Sequence, residues 1–260
     1  MNKDKSQNLA LFCDFENIAL GVRDAKYEAF DINKVLEKLL LKGSIVVKKA
    51  YSDWERYSKF KKVMHEAAFE LIDIPHVRVS GKNSADIRMV VDALDLCYTK
   101  EHVDTFVIIS GDSDFSPLVS KLRENNKLVI GVGVKNSTSD LLTANCDEFI
   151  FYDDLVRAPK KTRRKPASRA KTKTASEAEE KTQEAFDLVL ETFEALKSER
   201  EDDKIWGSMI KQALKRRRPG FTESYHGFAS FSELLEAMSK ASLLKLTRDE
   251  RSGGYIVTAG

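Results

Sequence analysis

Two carboxylates follow an apolar run in the segment Val107-Ile108-Ile109-Ser110-Gly111-Asp112-Ser113-Asp114-Phe115. The β-branched run, closed by Ser-Gly, predicts a buried strand that ends at the carboxyl edge of a parallel sheet, where ligands and catalytic groups collect. Two acids in one turn repel each other, and Mg²⁺ or Mn²⁺ offsets that repulsion because these cations prefer oxygen ligands. The alternative is a solvated turn in which Ser113 or Asp114 caps the next helix. The segment alone leaves both interpretations open.

Two further segments carry acids in comparable positions. Asp14 follows the apolar run at 9–13, and a strand there is expected to lie beside the first, which brings Asp14 close to Asp112 and Asp114. Asp86 lies in the first turn of a predicted helix, where the helix dipole favours an anion. We therefore predict that these four aspartates form an acidic pocket for one or two divalent cations.

Such a pocket suits phosphodiester hydrolysis, because a bound metal ion activates water and stabilises the charge of the transition state. Asn17 is a candidate for orienting the attacking water or binding a substrate phosphate, or else a turn residue after the strand. Ser110 and Ser113 place hydroxyl groups near the expected phosphate oxygens. Lys82 and Arg88 are candidates for neutralising flanking phosphates, or else solvated charges. The absence of a GxxxxGK[ST] motif disfavours a P-loop NTPase.

The composition is that of a globular protein, with 260 residues, 42% hydrophobic residues and a net charge of +2 that identifies no partner. Cys13, Cys97 and Cys146 lack metal-ligand spacing and are expected to be buried and reduced. No apolar run approaches the roughly 20 residues of a membrane span, and no signal-type apolar segment follows the N-terminus. We expect a cytoplasmic protein.

Short apolar runs alternate with amphipathic segments up to about residue 155. Strands are predicted at 9–13, 44–51, 74–79, 104–110, 127–134 and 148–152. Helices are predicted at 31–42, 55–70, 84–99, 115–125 and 138–144. This alternation predicts an α/β fold with a mostly parallel sheet and helices on both faces.

The character of the chain changes after residue 156. Lys and Arg crowd residues 157–180 with almost no large apolar side chain, which predicts a flexible linker that is either solvated or binds phosphates. Helices around 186–196, 205–214 and 231–238, followed by a hairpin closed through Gly253-Gly254, predict a small winged-helix-like α+β domain. Positive charge for phosphate contact is concentrated near the end of its second helix, at Lys211, Lys215, Arg216, Arg217 and Arg218.

Three motifs resemble the NYN family of PIN-like ribonucleases in order and spacing, over residues 8 to about 155. They are Asp14-Phe15-Glu16-Asn17, Asn83-Ser84-Ala85-Asp86, and Ser110-Gly111-Asp112-Ser113-Asp114-Phe115 followed by Pro117-Leu118. The resemblance implies a PIN-like three-layer fold and RNA cleavage dependent on Mg²⁺ or Mn²⁺. It assigns the site to Asp14, Asn17, Asp86, Asp112 and Asp114. Asp92 matches a recurring family acid, but it points to another helix face and is expected to form salt bridges.

The C-terminal region resembles an OST-HTH (LOTUS) domain through Trp206, Pro219-Gly220-Phe221, Tyr225-His226-Gly227-Phe228 and Phe231-Ser232-Glu233-Leu234-Leu235. Such modules are associated with RNA or protein partners. The expected domains are therefore a nuclease domain at 1–156, the linker at 157–180 and the OST-HTH domain at 181–260.

The leading hypothesis is a metal-dependent endoribonuclease whose C-terminal domain recruits RNA. The second is a catalytically silent RNA-binding adaptor. The third is a phosphoryl-transfer enzyme of the haloacid dehalogenase or receiver type. Two features argue against it: the residue two positions after Asp14 is Glu16, and no threonine follows to complete the loop of those enzymes. A protein partner for the C-terminal domain and a homodimer stay open, and no membrane association is expected.

Overall fold

The computed structural model describes residues 7–74, 84–156, 173–199, 204–249 and 253–260, with the backbone alone at 173–179 and 199. The chain divides into two compact units, Met1–Ala158 and Pro159–Gly260.

The first unit alternates strands and helices. Its described strands are β1 (Gln7–Asp14), β2 (Gly43–Ser52), β3 (Glu70–Asp73), β4 (Thr105–Ile109), β5 (Leu128–Gly133) and β6 (Glu148–Phe151). Its described helices are α1 (Phe15–Asp24), α2 (Ile32–Leu40), α3 (Ser58–Glu66), α4 (Ser84–Thr99), α5 (Ser116–Glu124), α6 (Asp140–Asn145) and α7 (Tyr152–Val156).

The strands form one sheet in the order β3-β2-β1-β4-β5-β6, and every neighbouring pair of described strands is parallel. The chain builds outward from β1 to β3 and then returns to place β4 on the other side of β1. The register pairs Cys13 with Ile109, so the segments that follow β1 and β4 leave the sheet side by side. The carboxyl ends of strands at such a reversal form the usual ligand crevice of this architecture.

Both faces of the sheet are buried. Leu9, Leu11 and Cys13 pack into the apolar cluster that contains residues of α1, α2 and α3, while Ala10 and Phe12 pack into the cluster that contains residues of α4 and α5. Side chains on a strand alternate between its faces, and a strand covered on both faces reads as a continuous apolar run. The prediction of a three-layer α/β fold with a mostly parallel sheet is confirmed. The three cysteines are free and buried, as expected.

Several elements of the first unit differ from the prediction. A strand was predicted at 74–79, whereas β3 lies at Glu70–Asp73 and Ile74 is not part of it. Residues 75–79 lie outside the described residues. The third helix starts at Ser58 and not at 55, because Asp53 accepts hydrogen bonds from the N–H groups of Glu55 and Arg56 and holds a turn there. The sequence prediction also missed α1, which begins directly after β1 with no intervening turn.

The second unit has its own core. Its described elements are α8 (Lys173–Glu199), β7 (Ile205–Trp206), α9 (Gly207–Arg217), α10 (Phe231–Lys240), β8 (Leu244–Arg248) and β9 (Tyr255–Ala259). The strands form an antiparallel sheet in the order β7-β9-β8. Val189, Phe193, Ile210, Leu235 and Val257 contribute to one apolar cluster between the helices and this sheet. The three predicted helices and the terminal hairpin are present, and β7 adds a third strand to the sheet.

Two corrections apply to this region. Ile205 and Trp206 pair with Val257 and Ile256 as a short strand, so the second helix begins at Gly207 and not at 205. The linker was expected to reach residue 180, but α8 already begins at Lys173, because the Ala, Glu and Lys residues there are strong helix formers. Residues 157–172 lie outside the described residues. Within the described ranges, no helix has both the length and the apolar character needed to cross a membrane.

Candidate active site

Asp14 is the buried carboxylate of the crevice. It ends β1, and its side chain is only 8% exposed. Its Oδ1 accepts a hydrogen bond from the N–H of Asn17 at 3.2 Å, and its Oδ2 accepts one from the Ser110 hydroxyl at 3.0 Å. Burial raises the pKa of Asp14 from 3.8 to about 7, against the lowering effect of these hydrogen bonds, and the charges of Asp86 and Asp112 also raise it. A cation at this position would favour the ionised form.

The loop after β4 is joined to α1 by side-chain hydrogen bonds. Asn17 Oδ1 accepts from the N–H of Gly111 at 2.9 Å. Ser110 is fully buried, and its Oγ donates to Asp14 while accepting from the N–H of Asp112 at 3.2 Å. The prediction that Ser110 contacts RNA is therefore wrong, because its hydroxyl lies in the interior and orients Asp14.

Gly111 brings a third segment to the loop. A Cβ at this position would lie 2.5 Å from the carbonyl oxygen of Ser137, so a side chain has no room. The carbonyl of Gly111 accepts a hydrogen bond from the N–H of Ser139 at 2.9 Å. Sequence reasoning missed this neighbouring segment, and the glycine between a strand and two acids was the only signal of a close backbone approach.

Asp112 and Asp114 lie in a turn that begins a helical segment. Asp112 Oδ1 accepts from the N–H of Asp114 at 3.0 Å and caps the short 3-10 helix Ser113–Phe115. Phe115 is fully buried and anchors this turn, whereas Asp114 is exposed and Asp112 and Ser113 are half-buried. The sequence predicted that a side chain in this turn caps the following helical segment, and this is observed. The capping residue is Asp112, however, and not Ser113 or Asp114.

Asp86 is half-buried in the first turn of α4. Its charge raises the pKa of Asp14 more than the charge of Asp112 does. Carboxylates from three separate chain segments therefore interact electrostatically at the carboxyl edge of the sheet.

Asp92, six residues further along α4, has a different role. It accepts a hydrogen bond from the Tyr51 hydroxyl at 2.9 Å and forms ion pairs with Arg88 at 3.0 Å and Lys49 at 3.5 Å. The predicted salt-bridge role is confirmed. Because the Arg88 guanidinium already binds Asp92, its predicted phosphate contact requires an RNA oxygen to compete with that carboxylate. Lys82 lies outside the described residues.

The four candidate aspartates have the ligand chemistry that a divalent cation needs, but their positions do not form a closed set of ligands. Asp14, Asp86, Asp112 and Asp114 supply the oxygen ligands that Mg²⁺ and Mn²⁺ prefer. In the described parts of the chain, no three His, Cys, Asp or Glu side chains are gathered closely enough to hold a metal ion. Like charges separate side chains when no cation lies between them, so ion binding would require these groups to converge.

The five basic residues predicted for RNA contact in the second unit divide into two groups. Lys211 pairs with Glu223 at 2.8 Å, and Arg217 pairs with Glu191. These two side chains link elements of the unit, so phosphate contact by either of them requires an RNA oxygen to compete with a carboxylate. Arg216 and Arg218 are exposed and Lys215 is half-exposed.

Comparison with known proteins identifies the family of the first unit. The family model of the NYN domain matches residues 8–153. The uncharacterized protein MJ0482 of Methanocaldococcus jannaschii is 28% identical over 140 residues, which are 52% of this chain and 55% of that protein. The chain therefore spans about half the length of this curated relative.

A solved structure is also similar to this chain. The crystal structure of VPA0982 from Vibrio parahaemolyticus, a protein of unknown function, aligns with a TM-score of 0.53 and 28% identity, over 60% of this chain and 98% of that one. The family match covers more than half of the chain and includes Asp14, Asp86, Asp112 and Asp114. The chain belongs to the NYN domain family of PIN-like nucleases, which are generally ribonucleases.

Proposed function

We propose that this protein is a metal-dependent endoribonuclease whose active site is the crevice between the carboxyl ends of β1 and β4. The observation that carries the proposal is the buried Asp14 carboxylate, which interacts with Asp86 and Asp112 in a chain of the NYN family. A buried carboxylate near two like charges is unfavourable by itself. Such an arrangement is typical of a catalytic site that binds a cation.

The four aspartates would hold one or two Mg²⁺ or Mn²⁺ ions. When bound, such an ion makes water more acidic and stabilises the negative charge that develops on the phosphate. Ser110 and the N–H of Asn17 orient the carboxylate of Asp14. The side chain of Asn17 accepts a hydrogen bond from the N–H of Gly111 and so holds the loop that carries Asp112. We assign Asn17 a positioning role on this basis.

We further propose that residues 181–260 form an OST-HTH module that recruits RNA to the nuclease domain at 1–156 through the basic segment after it. Three described helices and a hairpin around one core support this assignment. Phosphate contact would come from the exposed Arg216 and Arg218 and from Lys215, because Lys211 and Arg217 are paired with acids. A protein partner at this module is the alternative.

The competing function is a silent RNA-binding adaptor. One observation favours it, namely that the described side chains include no preformed group of three metal ligands. An adaptor would retain the carboxylate cluster without the convergence that turnover needs.

A cleavage assay separates the two functions. Purified full-length protein is incubated with labelled linear and circular single-stranded RNA in Mn²⁺, Mg²⁺ or EDTA. A nuclease of the proposed type cleaves both RNAs, since only an endonuclease opens a circle, and loses activity in EDTA and in the Asp112→Asn variant. The exposed Asp24 on α1 provides the control variant Asp24→Asn, which retains activity. Tight RNA binding without cleavage under every metal condition supports the adaptor and refutes the nuclease.

A further inference from the structure

An open depression of about 470 Å³ lies beside the turn that carries the candidate metal ligands. Its lining residues are Ser113, Asp114, Ser116, Pro117, Ser120 and Leu141. Asp114 belongs to this lining and is also one of the four candidate metal ligands, so the depression lies beside the candidate site. Binding sites for small organic groups have volumes of about 300–1,000 Å³, and the depression is therefore large enough for part of a nucleotide.

Two walls define the depression. One consists of the 3-10 helix Ser113–Phe115 with the start of α5, and the other is formed by Leu141 on the short helix α6. The hydrogen bond from Ser139 to Gly111 and the missing side chain at Gly111 hold the second wall against the loop of Asp112. The same glycine thus positions the candidate ligands and the depression.

The lining combines an apolar surface with hydroxyl groups. Leu141 is 58% exposed, although the next residue, Leu142, is fully buried in the core. Ser116 is only 6% exposed, and its hydroxyl has no hydrogen-bond partner among the described residues. An unsatisfied buried hydroxyl is unfavourable, and a ligand in the depression that Ser116 lines would offer it a partner.

The charge of the lining excludes a phosphate as the main occupant. None of the six lining residues is basic, and Asp114 is acidic. A neutral group with one apolar face and several hydrogen-bonding atoms fits better, and a nucleoside has this character because its base has a flat face and its edges and sugar carry donors and acceptors.

We propose that this depression binds the nucleoside next to the scissile phosphate, with its base against Leu141 and Pro117 and its polar atoms bonded to the serine hydroxyls. The proposal rests on the proposed function, since the RNA must reach Asp112 and Asp114 for the adjacent nucleoside to lie here. It makes Leu141 and Ser120 determinants of substrate binding.

Free nucleosides are the direct probe, because adenosine and uridine carry no phosphate and are not attracted to basic residues elsewhere. Each is titrated into ¹⁵N-labelled full-length protein in EDTA, and the dissociation constant is taken from the amide shifts. We expect shifts at Ser113, Ser120 and Leu141, and a dissociation constant about tenfold higher in Leu141→Ala, since lost apolar contact in a pocket is worth that factor. Leu41, 82% exposed on another part of the unit, supplies the control variant Leu41→Ala with unchanged affinity.

The outcomes separate this proposal from the proposed function. Equal affinity of wild type, Leu141→Ala and Ser120→Ala overturns the nucleoside site, and so do shifts confined to other regions. Unperturbed amide resonances away from α6 show that each variant is folded. RNA cleavage by the wild type is measured in parallel. Cleavage together with equal nucleoside affinities refutes only the nucleoside site. A localised nucleoside effect without any cleavage retains nucleoside binding in the depression, but it refutes the nuclease and with it the place of the depression beside a scissile phosphate.

Discussion

Replacing Asp14 by Asn is expected to remove a pH-dependent loss of stability. The pKa of Asp14 is about 7 in the folded protein against 3.8 ordinarily. The folded state therefore binds more protons than the unfolded state between these values, and stability falls as the pH rises through that window. The difference of about three pKa units corresponds to about 4 kcal/mol in total, of which about 2 to 3 kcal/mol is lost between pH 5 and pH 8.

The assay is urea unfolding in EDTA at pH 5 and pH 8, followed by tryptophan fluorescence. A Trp206→Phe background leaves Trp54, which is buried and packs against Phe15 with ring centroids 5.0 Å apart, as the reporter of the first unit. The parent protein here is the Trp206→Phe variant with Asp14 unchanged. From pH 5 to pH 8 its free energy of unfolding should fall by about 2 to 3 kcal/mol more than that of the Asp14→Asn variant in the same background. An asparagine keeps one acceptor oxygen, which can bind the N–H of Asn17, and places an NH₂ group toward Ser110. Because this side chain does not titrate, the difference in pH dependence between the two proteins reports the ionisation of Asp14.

Addition of Mn²⁺ at pH 8 should stabilise the parent more than Asp14→Asn, because binding to the folded state alone raises stability. The exposed Asp24→Asn variant should follow the parent at both pH values. Equal pH dependence in the parent and Asp14→Asn would refute the reasoning, since it would mean that Asp14 ionises in the folded state as easily as in water.

Three further changes test other parts of the structure. Ser110→Ala removes the hydroxyl that donates to Asp14 and should raise the pKa of Asp14 further, because this hydrogen bond favours the ionised form. The pH–rate profile of RNA cleavage should therefore move to higher pH, and an unmoved profile contradicts this role. Gly111→Ala places a Cβ 2.5 Å from the Ser137 carbonyl oxygen and should destabilise the first unit by about 2 kcal/mol or more in urea unfolding; a change below about 0.5 kcal/mol would show that the segments separate easily. The double variant Arg216→Glu and Arg218→Glu should weaken RNA binding. It should also reduce by about two the slope of the logarithm of RNA affinity against the logarithm of salt concentration, with Lys240→Glu on α10 as the control. An unchanged slope assigns the second unit to protein partners.

The sequence was sufficient for the sheet and for the location of the acids. Buried parallel strands are continuous apolar runs. Asp14 is the last residue of one of them and Asp112 lies three residues after the end of another, so their meeting at one edge is predictable from the order of the elements. Asp92 was also interpreted correctly, because six residues along a helix turn a side chain to another face.

Contacts between distant segments could not be predicted in the same way. The hydroxyl of Ser110 turns inward because Asp14 on the neighbouring strand accepts it, and Lys211 pairs with Glu223 because the fold brings them together. Neither partner follows from local spacing. Helix α1 was missed because its cap, Asp14, is also the last residue of β1 and leaves no turn signal between the two elements.

The central claim is that acids from separate segments act as one metal-dependent site for RNA cleavage. The most direct test measures the Mn²⁺ dependence of RNA cleavage in two variants of helix α4, Asp86→Asn and Asp95→Asn. In the wild type Asp86 interacts with Asp14, whereas Asp95 is exposed and serves as the control. We predict that Asp86→Asn loses about 100-fold in cleavage rate or in Mn²⁺ affinity, whereas Asp95→Asn matches the wild type. Equal cleavage and equal Mn²⁺ dependence in the two variants would contradict the claim.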